Sequence, residues 1–220
     1  VSLTNGIEVF NEERLKKVKD ISGELLLPNG KLKLLSYKDY QKFEFDDLRI
    51  FCHQYARYGL PTIELINYLN NIIKGRSCIE IGSGHGDLGY HLKIPMTDNK
   101  AQLWPIIRKH YERMGQPIID YPDDIEELDA LEAVTKYNPK VVIGSWVTTY
   151  SPTEKNYSSS PFGIKEDKIL NYVETLILIG NLESHGKKPI LKFGHLLIKD
   201  APFIVSRAKK QKYNVIYVWG

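Results

Sequence analysis

The chain has 220 residues, which suits one domain or a domain with a lead-in segment, and is long enough to bury a core without covalent staples. Hydrophobic residues at 42% and charged residues at 26% are those of an ordinary globular protein, and no apolar run approaches the roughly 18 residues that cross a bilayer. The net charge of +3 conceals a polarity: 117–135 carries seven acids and no base, whereas 185–220 carries eight Lys or Arg and one acid, Asp200. The basic face either attracts an anionic partner or is a solvated surface.

In chain order, 12–20 reads as a charged helix. Residues 24–27 and 31–35 flank Pro28-Asn29-Gly30, the chemistry of a hairpin turn. Asp46 and Asp47 open a helix to about Tyr58, stopped by Gly59. Pro61 suits the first turn of a second helix, on which Ile63, Ile66, Leu69 and Ile73 recur at helical spacing before Gly75. A buried strand follows at 77–81, then a glycine-rich loop, a short helix over 87–92, and a second strand over 94–97 ending at Asp98. The pattern predicts a helix over 102–114 with Pro105 in its first turn, a third strand over 117–121, a helix over 125–137 and a fourth strand over 140–144. Residues 151–163 read as a loop, 169–174 leads into a fifth strand over 175–179, 189–193 is a short element, 201–210 a basic helix, and 215–219 a last strand. Strands alternating with helices predict an α/β sheet flanked by helices.

The informative stretch is Cys78 to Gly89, CIEIGSGHGDLG, in which a strand runs straight into glycines 82, 84 and 86. Glycine tolerates positive φ and close backbone approach, the helix behind it offers free N–H groups, and ligands of open α/β sheets bind at such strand ends. Gly84 to Gly89 also fits the dinucleotide pattern GxGxxG. That reading wants an acid about 20 residues on. Asp98 comes too early for it, and Glu80 at the loop's head is unwelcome beside a pyrophosphate.

The segment Glu80-Ile81-Gly82-Ser83-Gly84-His85-Gly86 resembles the E/D-x-G-x-G-x-G loop of class I S-adenosylmethionine-dependent methyltransferases. The resemblance extends in ordered blocks from about Ile63 to Ile179. It implies a mostly parallel, Rossmann-like sheet over 61–220 behind an N-terminal helical and hairpin cap over 1–60. It implies S-adenosyl-L-methionine as cofactor, with Glu80 near the methionine moiety and Gly82, Ser83, Gly84, His85 and Gly86 beneath methionine and ribose. Asp98 would take the ribose hydroxyls, and Asp129-Ala130 would meet the adenine. The end of the fourth strand, with Ser145 and Trp146, would face the reaction pocket. Asp129 reads equally as a helix-start acid, Asp98 as a turn residue, and Trp146 as core packing. The fourth strand lacks the Asp/Asn-Pro-Pro-aromatic tetrapeptide of amino-methyltransferases, which argues against an exocyclic amine as acceptor.

Tyr58, a candidate substrate-pocket residue, ends with Tyr55 and Arg57 the helix before the cofactor strand, and the group either closes over the methionine carboxylate or packs as an aromatic part of the cap. His53, His91, His110, His185 and His195 show no ligand spacing, so no metal is expected, and no general base announces itself. Cys52 and Cys78 read as buried thiols of a reducing, cytoplasmic setting, and the opening segment lacks the order of a secretory signal. The expected activity is methyl transfer to an unidentified acceptor, possible anionic character included and nucleic acid not excluded. An inactive cofactor-binding interaction module and a nicotinamide enzyme are the rival readings. The sequence is silent on oligomeric state.

Overall fold

The computed structural model describes residues 3–4, 7–8, 18–152, 159–199 and 201–220. Its centre is a seven-stranded sheet built from β1 (Cys78–Ile81), β2 (Met96–Asp98), β3 (Glu126–Glu127), β4 (Val141–Ser145), β5 (Thr175–Asn181), β6 (Leu196–Ile198) and β7 (Asn214–Trp219). The spatial order is β6-β7-β5-β4-β1-β2-β3. β5, β4, β1, β2 and β3 run parallel, and β7 runs antiparallel to both of its neighbours.

Strands β1, β4 and β5 are β-branched and apolar because both sheet faces are covered. On one face α2 (Ile63–Ile73) lays Leu65, Ile66, Leu69 and Ile73 on Val141, Ile143, Ile177 and Ile216. On the other, α5 (Ala130–Tyr137) places Ala133 and Val134 on Ile79, Val142 and Leu176. Each such side chain, fully buried, contributes about 1.5–3 kcal/mol. A third cluster joins Leu25, Leu32, Tyr40, Phe51 and Leu60 to Val205. No helix among the described residues is long and apolar enough to cross a membrane. Cys52 and Cys78 are free and buried.

Several expected elements are corrected. The hairpin over 24–35 is a helical turn, Ser22–Leu25, followed by a tight turn closed by one bridge, Leu26 to Leu32. The helix α1 (Phe45–Gln54) stops short of Tyr58, because the chain turns at Ala56, whose φ is +50°. Pro61 lies before α2 rather than in it; Thr62 is the cap, its Oγ1 accepting the Leu65 N–H at 3.0 Å. The strand expected over 117–121 is absent, and the edge strand is Glu126–Glu127, in residues assigned to the helix that begins only at Ala130. The basic stretch 201–210 forms no helix: Val205–Ser206 pairs with Gly59–Leu60. The expected helix over 12–20 lies largely outside the described residues. By contrast, α3 (Asp87–Leu92) and α4 (Pro105–Arg113), with Pro105 at its first position, stand where the pattern puts them.

From β1 the chain proceeds outward through β2 to β3 on one side, and from β4 to β5 on the other. The loops leaving β1 and β4 therefore diverge, opening the crevice in which ligands of doubly wound sheets bind.

Candidate functional site

That crevice is a cleft of about 1730 Å³, lined by the loop after β1, the loop after β4, α4 and the turn following α1. Gly82, Gly84 and Gly86 all have positive φ, +56°, +57° and +70°. Two of them are also packed tight: a Cβ on Gly82 would lie 2.8 Å from Val147, and one on Gly86 would lie 2.5 Å from Ile125 and 2.6 Å from Met96.

The loop's amides are taken up by acids. Asp98, at the end of β2, accepts the Gly84 N–H at 2.9 Å and the Lys100 N–H at 2.8 Å, and Tyr121 also hydrogen-bonds it. Burial holds its carboxyl above the usual carboxylate range despite these donors. Glu80 accepts the Gly89 N–H at 2.8 Å, and burial pushes it up to about 8. Asp87 accepts the Leu32 N–H at 2.8 Å and pairs with the buried Arg57, which also donates to Gly30 O at 2.6 Å. Lys31 Nζ donates to the carbonyl of His85 at 2.7 Å and to Asp124. The N-terminal residues are thus stapled to the glycine loop from beneath. The His85 imidazole falls to about 3 through burial, with Arg57 and Lys31 adding repulsion, so it is neutral at pH 7. Ser83 Oγ is buried with no hydrogen-bond partner among the described residues, an atom that a polar ligand in the cleft would complete.

The loop after β4 is held by a different set of side chains. Lys188 Nζ, buried, donates to Val147 O at 2.9 Å and to Glu166 at 2.5 Å, with Thr149 Oγ1 at 3.4 Å and hydrogen-bonded in turn to Glu166. Trp146 carries a φ of +59°, which a bulky residue adopts at a cost of about 1–3 kcal/mol. Its ring is wedged there, Nε1 against Gly59 and its plane at 74° to that of His185, 5.4 Å between centroids. His185 Nδ1 accepts the Asn181 N–H at 3.0 Å, which places the proton of the neutral ring on Nε2. Burial, then Lys188, brings the ring to about 3, so His185 offers the cleft a donor rather than a base.

Glu80, Gly82, Ser83, Gly84, His85, Asp98, Ala130, Ser145, Trp146 and Tyr58 all border the cleft. Asp129 does not; its Oδ1 accepts the Leu131 and Glu132 N–H groups and, with Glu132, completes a capping box on α5. Gly86 lies behind the loop as the residue before α3. Sequence reasoning missed Arg57, Asp87, Glu166 and Lys188 as a set, because their pairings span tens of residues. The one local signal was an acid, Asp87, following directly on the last glycine of the loop.

No protein-family model matches the chain, and no curated protein matches it. Among solved structures it is similar to SMU.776, a candidate methyltransferase complexed with S-adenosylhomocysteine, at 12% identity over 69% of this chain and 48% of that one, TM-score 0.36. It is also similar to a candidate S-adenosylmethionine-dependent methyltransferase from Streptococcus mutans, at 13% identity over 70% and 47%, TM-score 0.38. A third is Thermoplasma acidophilum 1320, at 16% identity over 79% and 94%, TM-score 0.34. The chain spans about half the length of the first two.

Proposed function

We propose that this protein is an S-adenosylmethionine-dependent methyltransferase. The observation that carries the reading is the glycine loop at the switch between β1 and β4, whose Gly84 amide is already bonded to Asp98 and whose head is the buried Glu80. In a dinucleotide site the loop's amides and helix N-terminus face a pyrophosphate. Here the Gly84 amide is already taken by the Asp98 carboxyl at the end of β2, which favours a ligand offering hydroxyls to that carboxyl over one whose phosphates need the amide.

The residues present fit such a cofactor. Asp98 with Tyr121 would receive ribose hydroxyls, Ser83 and Glu80 would lie beside the methionine part, and Leu128 with Ala130 would border the adenine. The cofactor, when bound, supplies a methyl group activated by its sulfonium. The chain's part is to place the acceptor in line with that methyl and to exclude water. Ser145 and Trp146 at the end of β4 stand at the acceptor side, and the Nε2–H of His185 supplies an orienting hydrogen bond. No residue there is set up as a base, so the acceptor must arrive as a competent nucleophile.

Calorimetric titration with S-adenosylmethionine, S-adenosylhomocysteine and NADH tests the reading. Saturable binding of both adenosyl ligands, weakened at least tenfold in Gly84→Val, is the expected result. Tighter binding of NADH would replace it with the nicotinamide reading. Adenosyl binding without turnover across acceptor panels would leave the interaction module.

A further inference from the structure

We propose that the part of the cleft beside Tyr58 binds an oxyanion of the acceptor, a carboxylate or a phosphate, through Arg207 braced on Tyr58. The inference rests on the methyltransferase reading for the word acceptor, but the anion site itself rests on geometry. The Arg207 guanidinium lies 3.8 Å from the centroid of the Tyr58 ring, and its backbone N–H donates to Tyr58 O at 3.2 Å. A guanidinium stacked flat on an aromatic face keeps its in-plane donors directed outward as a rigid fork, the geometry that takes two oxygens of one anion. Among the described residues no carboxylate pairs with Arg207.

The charge balance of the cleft points the same way. Its walls carry seven Lys and Arg against four Asp and Glu, and all four acids are already engaged. Asp87 is paired with Arg57, Glu183 with Lys210 at 2.5 Å, and Glu80 and Asp98 accept backbone N–H groups. Of the seven, Arg57 is paired with Asp87 and Arg49 lies 4.0 Å from Asp46, whereas Arg207 borders the cleft with no carboxylate partner among the described residues. There burial, then the charge of Arg207, holds His53 below its usual range. An incoming oxyanion on Arg207 therefore displaces no carboxylate from it. The solvated Lys187 and Lys209 lack any such brace. Tyr58 also links this part of the cleft to the cofactor side, its hydroxyl 3.4 Å from that of Tyr111.

The rival occupant is the carboxylate of the cofactor itself, and the experiment separates the two. Protein saturated with S-adenosylhomocysteine is titrated with benzoate and with phenyl phosphate, alongside Arg207→Gln, Arg207→Lys and Tyr58→Leu, each checked for an unchanged urea midpoint. We expect saturable binding of one probe, weakened at least tenfold by Arg207→Gln and several-fold by Arg207→Lys and Tyr58→Leu. The affinity for S-adenosylhomocysteine should change less than twofold. Which probe binds more tightly identifies carboxylate or phosphate. Absence of probe binding to the saturated protein overturns the inference, as does competition between probe and S-adenosylhomocysteine. If S-adenosylhomocysteine does not bind at all, the methyltransferase reading fails instead, and the same titration of the ligand-free protein still decides whether Arg207 holds an oxyanion.

Discussion

The two loops that meet in the cleft are fixed by different sets of side chains. After β1, carboxyls take amides, Asp98 on Gly84 and Glu80 on Gly89, and the Lys31 ammonium takes the His85 carbonyl. After β4, the exposed group is the Val147 carbonyl, and it is satisfied by the Lys188 ammonium. The first loop leaves both halves of the peptide to be satisfied by side chains, the second a carbonyl. The conformational device differs as well. The first loop turns on glycines, at no steric cost, whereas the second turns on Trp146 at positive φ and must be clamped from behind.

The clamp gives the largest way to break this contrast. Lys188→Met leaves the Glu166 carboxyl buried without its cation and is expected to cost about 3–5 kcal/mol in urea unfolding. Adding Glu166→Met should return most of that loss. If the single variant is near wild type, the second loop is held by something other than Lys188. On the first loop, Gly86→Ala combines a left-handed alanine with contacts on Ile125 and Met96, and should cost about 2–5 kcal/mol.

A pH profile sharpens the same comparison. Glu80 has its folded pKa raised to about 8 by burial, so the folded state holds this proton more tightly than the unfolded state. Its contribution is therefore favourable at low pH and is lost as pH rises from the ordinary carboxylate range toward 8. Glu80→Gln retains an acceptor for Gly89 and should flatten this decline. Because His85 and His185, both held near 3, tilt stability the other way below their unfolded range, the difference between the two profiles is the quantity to measure. The smallest effect is expected from Asp129→Ala, which removes a helix cap outside the cleft. It should cost about 1 kcal/mol of stability and change S-adenosylhomocysteine affinity less than twofold, whereas a tenfold loss of affinity would return Asp129 to the adenine.

The parts legible in the sequence were those whose signal is local. The β-branched runs of β1, β4 and β5 stood out because burial on both faces leaves no polar alternation, and α3 because glycine precedes it directly. Glu126–Glu127 could not be read as a strand, since an acidic dipeptide on a sheet edge has no apolar signature, and charge there is what keeps an edge from pairing further. Residues 201–210 carry Ala and Lys of good helix propensity. Tertiary structure overrides that preference by pairing Val205 with Leu60 and by knotting Ser206, Gln211 and Asn214 together through side-chain hydrogen bonds. At the site, the glycines announced the loop but not its staples, because Arg57–Asp87 and Lys188–Glu166 are chosen by folding across 30 and 22 residues.

The wedging of Trp146 also equips the molecule with an optical reporter. Trp219 is sealed in the sheet at 3% exposure, Trp104 stands at the surface at 38%, and only the indole of Trp146 shares the cleft with Ser145 and His185. Replacing Trp104 by phenylalanine would leave one shielded emitter as an internal reference and one inside the cleft, so that occupancy of the cleft can be followed by fluorescence without a label.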